Sequence, residues 1–504
     1  MIEMEKLDLS GVFNAGLFPR NSDLVDGAFL VECQGKRPSD NGLINHVTLT
    51  DRVGHSTVTW PFPQLFRLRQ ALLELGATEA YTINESTWGA TLITTYNAAS
   101  TGITKTITQG GAWQVADFND VWFATNGTTM LARLPDSGTW KVVAQDSLTV
   151  KSVAEGFGRL LVSGMSGSRL SAARFTALFD RWMKAASNMY STAIDQTVGA
   201  NVVMYSEEQG GEVYYPFVRV MSIMGFPNDT RFDNIKAEIY AAVENGEIGF
   251  IIPFHKGTTT NIAQIADTVL LASADGITSV QSTENGLLPV DLFPFGPVSR
   301  GAMAGNHAVQ YFVDQDGDLW EIGQNLQYRN LRFREWIGPL TLANLKLTYN
   351  ETEGELYISD GTACYVYGAK GMSETTLIPT SLIKASGGIV APVKSLSDAT
   401  VVLKTGSLSL NNRRAKTLQE VELHHDDAVG DVTLVVQYKV NETTGFVTCT
   451  GIAPDSRGVF VVGITGVEFT LKFTFTNNSQ SVGGIVAKIR ADGRLSVKEL
   501  VDNA

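Results

Sequence analysis

Charge is scarce in this chain. Asp, Glu, Lys and Arg supply 18% of its 504 residues, and 52 acids against 39 bases give a formal net charge of −13. That balance excludes a basic nucleic-acid binder and a charge-rich disordered chain. Cysteine is scarcer still: Cys33, Cys364 and Cys449 lie far apart and form no CxxC pair, so neither a disulfide framework nor a zinc cluster is expected, and a reducing assembly compartment fits. No apolar run approaches the roughly 18 residues of a membrane helix. The opening Met1-Ile-Glu-Met-Glu-Lys6 is acidic and has no apolar core, which argues against a secretory signal and for synthesis in a cytoplasm. Also missing are GxSxG, a Walker loop, HExxH and a dinucleotide fingerprint after a strand, so the expectation is a protein that is not an enzyme, without membrane insertion and without catalytic, cofactor-binding or metal residues.

What is present is apolar and β-prone. Hydrophobic residues reach 44% and aromatics 9%, enough to bury a large core, and the length predicts two or three domains. Forty-eight glycines, several beside Asn or Asp, stand among many Val, Ile, Thr and Tyr. From about residue 80 to 370 a β-prone run, a turn pair and a second run recur. The clear pairs are Asn126-Gly127, Asn245-Gly246, Asp275-Gly276, Asp316-Gly317 and Asp360-Gly361, read as I′ hairpin turns, with weaker ones at Trp88-Gly89, Ser166-Gly167 and Gly210-Gly211. From Gly246 to Gly276, Gly317 and Gly361 the intervals are 30, 41 and 44 residues. A hairpin repeat of that length cannot bury both faces of each small sheet alone, so neighbouring sheets stack around an axis as a propeller. Trp88, Trp122, Trp140, Trp320 and Tyr367 recur beside the turns and are read as filling between blades.

The expected fold class is all-β: a β-propeller of six to eight blades over 61–372, preceded by an arm or ring-closing strands over 1–60 and followed by a β-sandwich-like domain over 373–504. Consecutive strands are expected at Thr417–His424, Val432–Val440, Gly458–Ile464, Gly466–Phe475 and Gly484–Arg490. Two helical islands are expected. Leu65, Leu68, Leu72, Leu73 and Leu75 predict a short amphipathic helix from Pro63 to Gly76, and Ser171–Ile194 predicts an inserted one.

Three constellations invite chemistry. Asp314, Asp316 and Asp318 alternate in a tight turn, as a calcium loop would, but the twelfth position is Asn325 and the glycine comes too early, so a hairpin turn is preferred. Asp136-Ser-Gly138-Thr-Trp140 has the flavour of a sialidase aspartate box, one residue short and unrepeated. His424-His425-Asp426-Asp427 is the one histidine cluster, since His46, His55, His255 and His307 are scattered, and it is read as a polar turn.

Gly158-Arg-Leu-Leu-Val-Ser-Gly164 followed by Ala173-Arg-Phe-Thr-Ala-Leu-Phe-Asp180-Arg-Trp182, then Thr268–Ile277, Ser299-Arg-Gly-Ala-Met303 and Ala308–Gly317, resemble successive stretches of the tail nozzle or tail hub proteins of short-tailed bacteriophages, the packaged-DNA stabilisation proteins. The resemblance implies a virion structural protein, assembled in the bacterial cytoplasm as a homo-oligomeric, hexameric ring beneath portal or adaptor proteins. Such a ring extends and closes the DNA exit channel, retains packaged double-stranded DNA without sequence-specific binding, and mounts fibres or spikes. A negative lumen fits that role, because basic contacts would hold the sliding DNA. The departure from the family is the length of the 171–194 segment. The rival reading is a carbohydrate-binding or glycoside-cleaving propeller, which needs two converging carboxylates. A third is a monomeric peptide-binding scaffold.

Overall fold

The computed structural model describes the chain from Met4 to Ala491 apart from residues 10–12, 14–15, 19–28, 41, 52–57, 69–71, 94–105, 119–120, 134–139, 145–149, 165–201, 206, 210–211, 215–250, 254–255, 284–285, 386–387, 394–399, 410–414, 426–431 and 477–480. It is an all-β protein: a β-propeller and a β-sandwich-like domain. Among the described residues the one α-helix is the single turn Arg334–Ile337. The expected helix over 171–194 lies outside the described residues. The chain forms two compact units, one of Met1–Thr48, Thr352–Ile378 and Ser395–Ala504, the other of Leu49–Glu351 and Pro379–Lys394.

The second unit is the propeller. Five four-stranded antiparallel sheets follow one another: blade 1 (Gln64–Arg67, Leu72–Leu75, Ala80–Ile83, Ala90–Leu92), blade 2 (Gln114–Phe118, Val121–Thr125, Met130–Arg133, Trp140–Ala144) and blade 3 (Ser152–Gly156, Arg159–Ser163, Val202–Tyr205, Ile251–Pro253). Blade 4 (Asn261–Ile265, Thr268–Ser273, Gly276–Thr283, Gly286–Phe293) and blade 5 (Met303–Gly305, Val309–Val313, Leu319–Gly323, Tyr328–Asn330) complete the run. A further strand, Lys346–Asn350, succeeds blade 5, and a three-stranded closing sheet joins Ile383–Ala385 and Gly388–Ala391 to Leu49–Asp51, which pairs parallel to Gly388–Ala391. First strands pack side by side between blades 2 and 3 and between blades 3 and 4, and that of blade 5 packs against Lys346–Asn350.

Apolar side chains fill the seams. Leu73, Leu75 and Ala80 of blade 1 meet Trp113, Trp122 and Leu131 of blade 2, and Leu65, Leu72 and Ile83 meet Ile383 and Val390 of the closing sheet. Between blades 4 and 5, Phe293 lies edge-on to Phe312 and Trp320, with centroids 5.3 and 5.7 Å apart. Rings in such edge-to-face contact add a specific term to area burial.

These seams explain the helix expected over 63–76, which is instead the first hairpin of blade 1, with Leu65 opposite Glu74 and Phe66 opposite Leu73. A blade strand is covered on both faces, so Leu72, Leu73 and Leu75 are all buried, and a continuous apolar run mimics helical spacing. The I′ reading of the turns also needs correction. In Asn126-Gly127, Asp316-Gly317 and Asp360-Gly361 only the glycine has positive φ, and at Asp275-Gly276 neither residue does. The preceding side chain does the closing: Asn126 Oδ1 accepts the N–H groups of Thr128 and Thr129 at 2.9 and 2.7 Å, and Asp360 Oδ1 those of Thr362 and Ala363 at 2.8 and 3.1 Å. A two-residue loop with both φ positive occurs at Phe157-Gly158.

The first unit is a sandwich of two sheets. One runs Lys36–Ser39, Gly42–Asn45, Val482–Ala491, Lys416–His425, Val459–Gly466, with Met4–Asp8 also paired to Val482–Ala491. The other contains Glu355–Ser359, Cys364–Gly368, Gly371–Thr375, Leu30–Gln34, Val401–Thr405, Glu468–Phe475, Val432–Lys439 and Val447–Thr448, in that order. Phe460 and Phe473 meet edge-on at 5.8 Å across the two. Residues 4–45 thus supply strands to both sheets, Leu30–Gln34 lying antiparallel to Val401–Thr405, instead of forming a separate arm. The chain passes between units after residues 48, 351, 378 and 394, where the sequence suggested breaks near 60 and 372.

Lys346 heads the strand after blade 5 and is buried, with Nζ donating to Thr380 O of the closing segment and, at 3.3 Å, to Thr348 Oγ1. Burial pushes its ammonium down to about 7. An unfolded lysine titrates at about 10.4, so between these values the unfolded chain binds more protons. The cost of the buried charge is therefore complete below the folded value and relieved as pH rises. Relative to Lys346→Met, the unfolding free energy of the native protein is expected to rise by on the order of 3 kcal/mol from about pH 7 to 10 in denaturant titrations, whereas a pH-independent difference contradicts the assignment.

Candidate site at the axial end of the propeller

The first strands of blades 1 to 4 begin with a polar residue, Gln64, Gln114, Ser152 and Asn261, and these residues, with Ser299 ahead of blade 5, tie neighbouring segments together. Gln64 Oε1 accepts the Trp113 N–H at 3.0 Å. Gln114 Oε1 accepts the Ser152 hydroxyl at 2.6 Å, and its Nε2 donates to Thr260 O at 3.0 Å. Asn261 Nδ2 donates to Arg300 O at 3.0 Å, and the Ser299 hydroxyl to Leu345 O at 3.0 Å. From Lys346 the series passes to Thr380, whose hydroxyl donates to Pro63 O, and to Ser381, whose oxygen accepts the Leu65 N–H at 2.7 Å. The belt is closed.

Arg300 crosses it. Its Nε donates to Ala112 O at 2.5 Å, Nη2 to Thr125 O at 2.8 Å and Nη1 to Thr260 O at 3.1 Å, so one half-buried side chain joins blade 5 to the approaches of blades 2 and 4. Lys151 stands beside it, with Nζ 3.0 Å from Gly127 O. Gly127 fits between the two cations: a Cβ there would lie 3.7 Å from both Arg300 Nη1 and Lys151 Cδ. Gly164, at φ +65°, admits Lys151 on the other side, since a Cβ would come within 2.4 Å of Lys151 Cβ and 2.7 Å of Thr259 O.

Neither cation has a carboxylate partner among the described residues. Burial lowers the Arg300 pKa to about 9, and burial followed by the charge of Arg300 lowers that of Lys151. Three carbonyls keep the guanidinium charged at neutral pH. On segments next to the pair, Ser163 Oγ, Thr259 Oγ1 and Asn261 Oδ1 are buried with no hydrogen-bond partner among the described residues. The cluster offers positive charge and N–H donors beside buried polar groups, which suits the binding of an anion.

The sequence candidates lie elsewhere. Asp314 Oδ1 accepts the N–H groups of Asp316 and Asp318, both at 2.9 Å, and Oδ2 accepts the Trp320 indole N–H at 2.8 Å. Its lone pairs serve the turn and a tryptophan, and Asp316 lies 3.4 Å from Arg334. No group of three or more His, Cys, Asp or Glu that could hold a metal gathers among the described residues. His424 is exposed and 3.6 Å from Glu422, and Asp426, Asp427 and the His425 side chain lie outside the described residues. The 136–138 turn is likewise outside them. Trp122 packs in the seam of blades 1 and 2 with the Arg133 guanidinium 4.2 Å over its ring, and Trp88 and Trp320 flank seam clusters. The Arg300–Lys151 pair escaped the sequence reading, which treated Ser299–Met303 only as a stretch of family resemblance. The signal available was the polar residue heading the first strands of blades 1 to 4.

No family model matches the chain, and no curated protein matches it. Among solved structures it is similar to PorZ, an essential bacterial surface component of the type-IX secretion system of Porphyromonas gingivalis, at TM-score 0.32 and 10% identity, covering 71% of this chain and 36% of that one. It is also similar to AztD from Citrobacter koseri (TM-score 0.32, 10% identity, 66% and 90% covered) and to the extracellular domain of the putative hybrid two-component system BT4673 from B. thetaiotaomicron (0.26, 9%, 73% and 42%). The chain thus spans about a third of the length of PorZ.

Three substitutions test these assignments. Arg300→Met strands three carbonyls and is expected to cost about 3 kcal/mol in denaturant unfolding, while Arg329→Met, which removes an exposed pair to Glu321, changes stability by under about 0.5 kcal/mol. Asp314→Ala is expected to cost about 1–2 kcal/mol, and calcium to leave the melting temperature of the native protein unchanged. A calcium-dependent rise would return Asp314 to the role of a ligand.

Proposed function

We propose that the chain is a non-enzymatic virion structural protein: a tail nozzle or hub of a short-tailed phage that forms a homo-oligomeric ring, hexameric by family resemblance, below portal or adaptor proteins. The observation that carries the reading is the set of resemblance blocks, whose described parts fall on corresponding blade elements. Gly158–Ser163 enters the second strand of blade 3, Thr268–Ser273 is the second strand of blade 4, and Ala308–Val313 enters that of blade 5. The acidic balance supports it as well, since a negative lumen lets DNA slide.

In this reading the propeller is a wall element and not itself the pore. Arg300 and the belt bind its blades to one another, and the DNA channel runs between subunits, narrowed by loops of each copy. Opening is a shift between subunit arrangements triggered by the receptor-binding fibres or spikes. Packaged DNA is retained sterically.

Light scattering on the purified chain, alone and mixed with the portal–adaptor complex of the same virion, tests this. A ring, either on its own or only on the adaptor, is expected. A monomer that ignores the adaptor would overturn the proposal.

A further inference from the structure

We infer that the Lys151–Arg300 pair holds a hydrogenphosphate ion at the axial end of the propeller. Two like charges, both partly exposed, lie on either side of Gly127 with no carboxylate partner among the described residues, a local excess of positive charge that favours a bound counter-charge. Both have donors to spare. A guanidinium carries five N–H bonds and Arg300 uses three on protein carbonyls, while Lys151 uses one of three. Every protein oxygen they touch is a main-chain carbonyl, so the remaining N–H groups are available to a ligand rich in acceptors. An oxyanion is such a ligand, and charge-assisted hydrogen bonds to it are the strong kind.

The neutral groups narrow the choice. Ser163 Oγ and Thr259 Oγ1, both fully buried and unpartnered, come from the segments that pack on Lys151: Ser163 O accepts the Lys151 N–H at 3.1 Å, and Thr259 O lies against Gly164. Their hydroxyls can donate to an anion. Asn261 is 6% exposed, and its amide is oriented by Nδ2 donating to Arg300 O, which leaves Oδ1 as an acceptor without a donor. Hydrogenphosphate has an O–H to give it, and sulfate at neutral pH has none. The site reads negative charge, several acceptors and one donor. It is independent of the tail proposal.

The test is isothermal titration of the full-length protein with inorganic phosphate, in chloride buffer of constant ionic strength at neutral pH. Saturable binding at one site per chain is expected, with sulfate weaker by about tenfold or more, the effect of one lost buried hydrogen bond. Lys151→Met is expected to weaken phosphate by at least about tenfold, and Lys151→Arg to restore most of it. Melting in chloride alone checks that each variant is folded. Should Lys151→Met not fold, Thr259→Val removes a buried hydroxyl that holds nothing in the protein, and it is expected to weaken phosphate several-fold. Absence of saturable binding by the native protein, or equal binding by the folded variants, overturns the site, and equal affinity for sulfate overturns the role assigned to Asn261.

Discussion

A propeller must join its last sheet to its first, and in this chain the joint is polar. The hydroxyl of Thr380 and the oxygen of Ser381 engage Pro63 O and the Leu65 N–H at the start of blade 1, while Lys346, at the end of the run of blades, donates to Thr380 O. All these side chains are buried. A single hydrogen bond of this kind contributes only about 1 kcal/mol net, but leaving its partner unpaired costs about 1–3 kcal/mol. The belt therefore acts more on specificity than on gross stability. The apolar seams supply the driving force for stacking, and the ties select the arrangement in which these hydrogen bonds all form.

Arg300 extends that logic across the axis. A guanidinium presents several donors in a fixed plane, so one side chain serves the carbonyls of Ala112, Thr125 and Thr260, which a lysine ammonium would match poorly. Glycines at 111, 127 and 164 leave the room its stem and Lys151 occupy. The same features that lock the ring leave two cations without an acid, and structure and ligand chemistry coincide there for that reason.

Much of the fold was legible in the sequence. The all-β class, the hairpin repeat and the C-terminal strands follow from period-2 runs and turn residues, which are local signals: Val432–Lys439 and Glu468–Phe475 stand within a residue or two of their expected bounds. Blade 1 misled because both faces of its strands are buried, which erases alternation in Leu72–Leu75. The pairing of Leu30–Gln34 with Val401–Thr405, and of Leu49–Asp51 with Ile389–Ala391, spans hundreds of residues and leaves no local trace. The site was illegible for a similar reason. Lys151, Asn261 and Arg300 are ordinary polar residues at strand entrances, and only ring closure brings them together. Asp314 drew notice for its spacing, yet its carboxylate is spent on its own turn and on Trp320.

Native-state hydrogen exchange on the double variant Thr380→Val, Ser381→Ala tests the ring-closing role of the belt most directly. If closure is the constraint on which the propeller depends, protection falls together in the first strands Gln64–Arg67 and Gln114–Phe118 and in Lys346–Asn350, on both sides of the joint, because they open as one cooperative unit. Faster exchange confined to residues 379–394, with the blades as protected as in the native protein, would contradict the account.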